Sequence, residues 1–478
     1  MQPVSPDSTD RTATMSPATA QGPPIGTNPG HDAPLGSALA AGTPASARPG
    51  AAPVDDARSW RQLALLSGLI SMDNSEGAVV STLFPAIRAA LDLKLSALGI
   101  LVAVSKVIGM IFGPIWVAVA NRLGRKNVLV IFCGLWGIWS VAAGFAQNFP
   151  QLLLLYAIGA VGLAAGGPLV NGLLADMFPE HQRGRAAGWL YAGFAVLGAV
   201  ISPLLGQLSR IPEGWRYGFF ACGAITVLFG LLVWRYFVDP GVGASDAAPL
   251  LGKSTRGRAQ LTAAFGSHTL RLMMVQRLTA TQLAFLSFGT VYLVSVRDFS
   301  TAHAALVAPF AMLTYVLGTV AGGYAGDRAG QRFPSAGRLA VWQAAVLGWA
   351  GSAALASQVA WPGLWHYIVV FSILGLLQGF GPGSTRPILM AVTRPELRSA
   401  AFALMLGAES AGWALSTLAL GYFGDSVGLQ AAFLWLIVVV NVGNGLFITL
   451  MYRPYHRESA ALRTELAAAR AAAASADQ

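Results

Sequence analysis

The chain has 478 residues, of which 55% are hydrophobic and only 11% charged, and its mean hydropathy is +0.58. A water-soluble domain carries about a quarter charged residues, so most of this chain lies in a solvent other than water. The formal net charge of +10 does not point to nucleic acid, because basic loops in a membrane protein fix its orientation. The two cysteines, Cys133 and Cys222, each sit inside an apolar run and offer neither a disulfide framework nor metal-ligand spacing.

Residues 1–57 are rich in Pro, Gly, Ala, Ser and Thr and have no hydrophobic period, which predicts a disordered cytoplasmic tail. Their start lacks the basic and apolar regions of a cleaved signal peptide. Apolar windows of about 20 residues then recur, the length a helix needs to cross the hydrocarbon core. Only helices and closed barrels satisfy their backbone in lipid, and barrel strands would alternate polar with apolar residues, so the chain is an all-α membrane protein. Six runs (62–87, 97–120, 128–146, 152–175, 186–208 and 217–238) form an N-terminal unit over 58–238. A Pro/Gly/Ser-containing linker follows at 239–268, carrying Lys253, Arg256 and Arg258. Six more runs (272–296, 302–325, 339–359, 364–392, 400–423 and 430–452) form a C-terminal unit over 269–453, and 454–478 is a second cytoplasmic tail with a short Ala-rich helix over 460–474.

The two units look like copies of one another. Gly323-Tyr-Ala-Gly-Asp327-Arg328-Ala-Gly330-Gln331-Arg332 lies between two runs, and Asn121-Arg122-Leu123-Gly124-Arg125-Lys126 holds the matching place in the first unit. A second echo, Pro179-Glu180-His181-Gln182-Arg183 against Pro395-Glu396-Leu397-Arg398, keeps the same register. Arginine and lysine crowd one set of loops (Arg58, Arg61, Arg122, Arg125, Lys126 and their counterparts), whereas the opposite loops hold only Arg88, Lys94, Arg210, Arg216 and Arg297. This bias places the first set, both termini and the linker in the cytoplasm.

Over Trp60 to Tyr452 the chain resembles the major facilitator superfamily. Residues 323–332 match its loop signature G-x-x-x-D-R-x-G-R-[KR] with Gln331 replacing one Arg, and the first copy keeps Arg122, Gly124, Arg125 and Lys126 but has Val117 and Asn121 where Gly and Asp are usual. Asp176 with Arg183-Gly184-Arg185, Pro203-Leu-Leu-Gly206 and Trp215-Arg216 resemble the family's fourth and fifth helices, although the usual Arg early in the fourth is absent around Tyr156. Met72-Asp73 and the long fourth-helix segment are similar to Spinster-like lipid transporters. The resemblance implies twelve transmembrane helices in two six-helix bundles related by a pseudo-twofold axis, alternating access by rocking, and a substrate site near the midplane. It also implies a monomer whose partners are lipid and a small-molecule substrate, with gates at Asn121, Arg122, Gly124, Arg125, Asp327, Arg328, Gly330 and Arg332. No cofactor is implied beyond a proton or ion gradient.

Ionisable groups inside the runs are costly and tend to face a cavity or a partner. Asp73 and Glu76, at helical spacing i, i+3, share one face of the first run. At 1.5 Å per residue Glu76 and Lys106 both sit roughly 15 Å below the outer end, which allows pairing across two helices. Either Asp73 or Glu76 takes up a proton with Lys106 as a displaceable counter-charge, or the charges form a static ion pair. Glu409, a third proton-coupling candidate, has no opposite charge near it in sequence. Arg277 and Arg386 lie near cytoplasmic ends, where they snorkel or clamp an anionic substrate. Asn74, Asn171, Gln282 and Gln378 supply hydrogen bonds to substrate or between helices. Tyr191, Tyr315 and Trp413 suit an aromatic or amphipathic ligand, or pack the interior. Gly159, Gly162, Gly166, Gly193 and Gly198 are expected to permit close helix approach.

No G-x-x-x-x-G-K-[ST], H-E-x-x-H or G-x-S-x-G pattern is present, so neither an ATP-driven pump nor an enzyme is indicated, and no metal site is expected. The expected activity is secondary transport across the cytoplasmic membrane, as proton-coupled export of an amphipathic compound. The alternatives are an organic-anion/proton symporter using Lys106, Arg277 and Arg386, and a transporter-fold sensor without flux. The sensor alternative rests on the long tail, Asn121 and the missing fourth-helix Arg.

Overall fold

A computed structural model describes residues 56–178, 180–241, 258–394 and 397–476. Almost all of the expected N-terminal tail lies outside them, as do Lys253 and Arg256 of the linker and Pro179, Pro395 and Glu396 of the two echoes. Among the described residues every regular element is helical. The long helices are α1 (Asp56–Leu91), α2 (Leu95–Leu123), α3 (Arg125–Ala143), α4 (Phe149–Leu163, continued by Gly166–Met177), α5 (Glu180–Leu208) and α6 (Gly214–Tyr236). A short linker helix, Arg258–Phe265, precedes α7 (His268–Leu278, then Gln282–Ser295), α8 (Thr301–Ala305, then Val307–Arg332), α9 (Gly337–Gln358), α10 (Leu364–Val392) and α11 (Arg398–Val427). The last, α12, starts at Leu429–Ala432 and runs without a loop into Tyr452–Ala476, so the short tail helix expected at 460–474 is the end of a longer one. Ten of these helices are long and apolar enough to cross a membrane; α1 and α5, at 36 and 29 residues, are not among the ten.

Helix ends follow local capping chemistry. The Asn148 side chain accepts from Gln151 N at the start of α4, Ser267 from Leu270 N at the start of α7, and Ser300 from His303 N at the start of α8. Gly124 joins α2 to α3 at φ 86°, a backbone state that glycine reaches without Cβ strain. The start of α2 is different: Lys94 gives no side-chain cap, and Asp425 at the far end of α11 takes its place. Its Oδ1 accepts from Leu95 N at 2.7 Å and its Oδ2 from Ser96 N at 2.9 Å.

The buried apolar residues divide into three clusters, and their membership fixes the architecture. One occupies the arginine-poor end and draws on both sets of helices: Val79, Leu83 and Leu98 of α1 and α2 lie in the same cluster as Phe288, Leu374 and Leu420 of α7, α10 and α11. At the arginine-rich end there are two. One is built only from α1–α6, around Leu66, Val128 and Leu173; the other draws only on α7 and later helices and the short linker helix, around Met273, Leu339 and Ile388. The sets therefore share a core at one end and hold separate cores at the other. Contacts between sets run through α2 with α11, α5 with α8, and α1 with α7. Close approach at the first of these needs Gly99, where any Cβ would overlap the Thr417 carbonyl of α11. Of the glycines expected to serve this way, Gly162 faces Trp136 and Gly193 faces Ser67, but Gly198 has open space beside it.

Candidate functional site

The seventh apolar run, which reads as one continuous helix in the sequence, breaks at Thr279, Ala280 and Thr281. Two buried asparagines of α12 bind the broken segment: Asn441 Nδ2 donates to Thr281 Oγ1 at 2.5 Å and Asn444 Nδ2 to the Gln276 carbonyl at 3.1 Å. Gly412 of α11 makes room for the carbonyls of Arg277 and Leu278. The interruption places Arg277 and Gln282 on either side of a cavity of about 170 Å³ inside α7–α11. A broken membrane helix that lines a cavity is the recurring way to put backbone and charge at mid-depth.

Six residues singled out in the sequence meet in this cavity: Arg277, Gln282, Tyr315, Gln378, Arg386 and Glu409. Trp342 and Trp349 complete its apolar wall. Glu409, expected to be isolated, instead faces Arg277, with Nε to Oε2 at 3.8 Å. The sequence hid this pair because its members are on α7 and α11. Arg277 also donates from Nη2 to Thr385 Oγ1 at 3.2 Å, yet its buried Nε has no hydrogen-bond partner. The 3.8 Å pair is loose, and an anion with two oxygens could engage the guanidinium better than Glu409 does.

Lys106 and Glu76 are not an ion pair, contrary to the depth argument. Lys106 Nζ lies 3.6 Å from the centre of the Trp413 ring, a cation–π contact that crosses from α2 to α11. Trp413 Nε1 in turn donates to Ser287 Oγ of α7 at 3.2 Å. Glu76 is only 2% exposed, and its Oε1 has no hydrogen-bond partner. Its Oε2 lies against Gly159 of α4. It thus sits inside the N-terminal helices and not in a space shared with Glu409. Equal depth fixes height along a helix but not the direction a side chain faces. Asn171 donates to the Gly167 carbonyl one turn back and does not line the cavity. The side chains of Asp73, Asn74, Asn121 and Tyr191 lie outside the described residues.

A sequence model described as the Major Facilitator Superfamily matches residues 64–341, more than half of the chain. The chain belongs to the major facilitator superfamily. It is 29% identical over 210 residues to a probable 4-methylmuconolactone transporter of Cupriavidus pinatubonensis, covering 42% of this chain and 47% of that one. To the multidrug resistance protein MdtG of Yersinia enterocolitica it is 30% identical over 201 residues (42% and 46%), and to the 4-hydroxybenzoate transporter PcaK of Pseudomonas putida 29% over 178 residues (37% and 39%). The chain spans about half the length of the curated relatives it matches. Its fold is like that of a bacterial homologue of the human lysosomal transporter Spinster in an inward-facing, unoccupied conformation, with a TM-score of 0.70 at 19% identity over 84% of this chain and 97% of that one. A D-xylose–proton symporter gives 0.63 at 18% identity over 82% and 96%.

The major facilitator superfamily is a family of membrane transporters, not of enzymes, and its members need no bound cofactor. Among the described residues no group of three or more His, Cys, Asp or Glu is placed to hold a metal. The family's loop residues are built into the arginine-rich end. Arg125 holds Asp176 at the end of α4 and, through Nη2 at 2.6 Å, Asp239 beyond the end of α6. Asp327 pairs with Arg338 of α9 at 2.8 Å, beside Gly330. Arg122, Arg328 and Arg332 are exposed.

Proposed function

We propose that this chain is a proton-coupled secondary transporter working by alternating access between two six-helix bundles, α1–α6 and α7–α12, which together cross the cytoplasmic membrane twelve times. On this reading it is a monomer with both termini, the linker and the gating loops in the cytoplasm. The arginine-rich loops support that orientation. It makes the shared apolar cluster an outer closure and the two separate clusters the parted inner end, an inward-facing state.

One observation carries the substrate class: the cavity is lined by two cations, Arg277 and Arg386, against a single acid among the described residues, Glu409, together with Tyr315, Trp342 and Trp349. An aromatic compound with a carboxylate satisfies both the surplus charge and the ring-lined walls. The likeness to a carrier named for 4-hydroxybenzoate supports the same class. The anion binds Arg277 in place of Glu409, and Glu409 takes a proton. Export of an amphipathic compound is the second reading, supported by the likeness to MdtG. Purified protein in liposomes, given labelled 4-hydroxybenzoate and an imposed pH gradient, separates the two. Accumulation driven by an inward proton gradient and abolished by an uncoupler supports the organic-anion reading. Proton-driven expulsion of neutral or cationic amphiphiles supports export, and no flux of any compound ends both in favour of the sensor.

Alternating access makes Asp425 a latch, because the outer end cannot open while this carboxylate holds the start of α2. Asp425→Asn removes the charge from two hydrogen bonds, each worth about 1.5–3 kcal/mol when charge-assisted. The outward-open population is expected to rise about tenfold. Spin labels on the exposed positions Gln147 and Ala360 read the arginine-poor end, and labels on Asn127 and Gln331 the other. The first distance should lengthen and the second shorten; an unchanged ratio of populations removes the latch.

A further inference from the structure

The arginine-rich end of α8–α12 lines a second cavity, of about 240 Å³, beside the Asp327–Arg338 pair. Its lining brings together Arg338 at the start of α9, Arg398 at the start of α11 and Arg463 on the extension of α12. Tyr455 and Ser459 add two hydroxyls, and no carboxylate lines it among the described residues. Arg338 spends Nη2 on Asp327 and Arg463 spends Nε on the Ser459 carbonyl. The buried Nε atoms of Arg338 and Arg398, by contrast, have no hydrogen-bond partner. A protein rarely leaves such atoms unmatched, and three guanidinium groups around one void repel one another unless an anion lies between them. Arg398 also opens α11, where the first backbone N–H groups carry the positive end of the helix dipole and Leu397 supplies no side-chain cap.

From this geometry we infer that the cavity binds a phosphate group, and that the phosphate belongs to an anionic membrane lipid. The guanidinium fork matches phosphate oxygens, and basic pockets between helices at a membrane face hold lipid head groups. The exposed Met390 and the buried Leu462 in the same lining suit the glycerol end of a lipid, and Arg463 ties the α12 extension to the head group. Bound lipid would thereby fasten the α12 extension to α9 and α11.

The test uses the full chain in nanodiscs and native mass spectrometry. Discs of phosphatidylcholine alone are compared with discs containing phosphatidylglycerol, and phosphatidylcholine discs with added inorganic phosphate form a third arm. Phosphatidylglycerol is expected to be retained on the released protein at least about tenfold over phosphatidylcholine, and Arg398→Gln with Arg463→Gln to remove that preference. Arg398→Lys, which keeps the charge, should retain most of it, so a loss caused by misfolding is told apart from a loss of charge. Phosphate adducts without lipid retention would assign the site to free phosphate and overturn the lipid assignment. Equal retention of both lipids, or a preference unmoved by the double substitution, would overturn the site.

Discussion

Arg277→Ala is expected to weaken binding of an aromatic carboxylate by on the order of a hundredfold or more. Truncating one partner of a desolvated charge pair costs about 2–5 kcal/mol, and each 1.4 kcal/mol is about tenfold in affinity. Arg277 is 12% exposed, its Nε is unmatched, and the only carboxylate facing it among the described residues is 3.8 Å away, so its guanidinium is open to an incoming anion. The substitution should leave the fold intact, because the break in α7 is held by Asn441 and Asn444 and not by the arginine. Arg277→Lys should recover only part of the affinity, since an ammonium lacks the two-pronged geometry. Equilibrium binding of labelled 4-hydroxybenzoate to purified variants provides the measurement, and an affinity unchanged in Arg277→Ala would remove the cavity from the substrate path.

Glu76→Gln is expected to abolish proton-driven accumulation while changing stability by no more than about 1 kcal/mol. The carboxyl is almost wholly buried, with one unmatched oxygen and no cation within ion-pair distance among the described residues. An ionised group in such a place is expensive, whereas an amide of the same shape is neutral throughout. If Glu76 were half of a structural ion pair, breaking it would destabilise the protein by about 3–5 kcal/mol. Thermal unfolding and uptake with and without a pH gradient distinguish these outcomes: a large loss of stability with coupling preserved would make Glu76 a packing residue. Because Glu76 lies within α1–α6 and Glu409 within α7–α12, coupling through both requires the proton step to act on the two bundles in turn.

Ten of the twelve apolar runs are legible as membrane-spanning helices because each depends on near neighbours in sequence: about 20 apolar residues make a span. Polar members of the cavity are also legible, since two Arg, a Glu and two Gln are conspicuous in apolar runs. Their pairing is not. Glu409 finds Arg277 only when α7 and α11 pack together, and the break between Thr279 and Thr281 has neither Gly nor Pro to announce it. Partners on α12, such as Asn441, hold that break open, and nothing local marks them. Asp425 was passed over for a related reason: it caps a helix that begins more than 300 residues earlier in the chain. The depth argument sets Lys106 beside Glu76, whereas its ammonium lies over Trp413 of α11, a helix that comes some 300 residues later in the chain.

The most direct measurement of the central claim, that a substrate carboxylate takes the place of Glu409 on Arg277, is calorimetric titration of the purified wild type and Glu409→Gln with benzoate and with benzamide, its neutral analogue of the same shape. The account predicts that wild type prefers benzoate and that Glu409→Gln, by freeing the guanidinium, tightens benzoate binding about tenfold while leaving benzamide unaffected. Equal affinity for the two compounds in wild type, or weaker benzoate binding in Glu409→Gln, would contradict it.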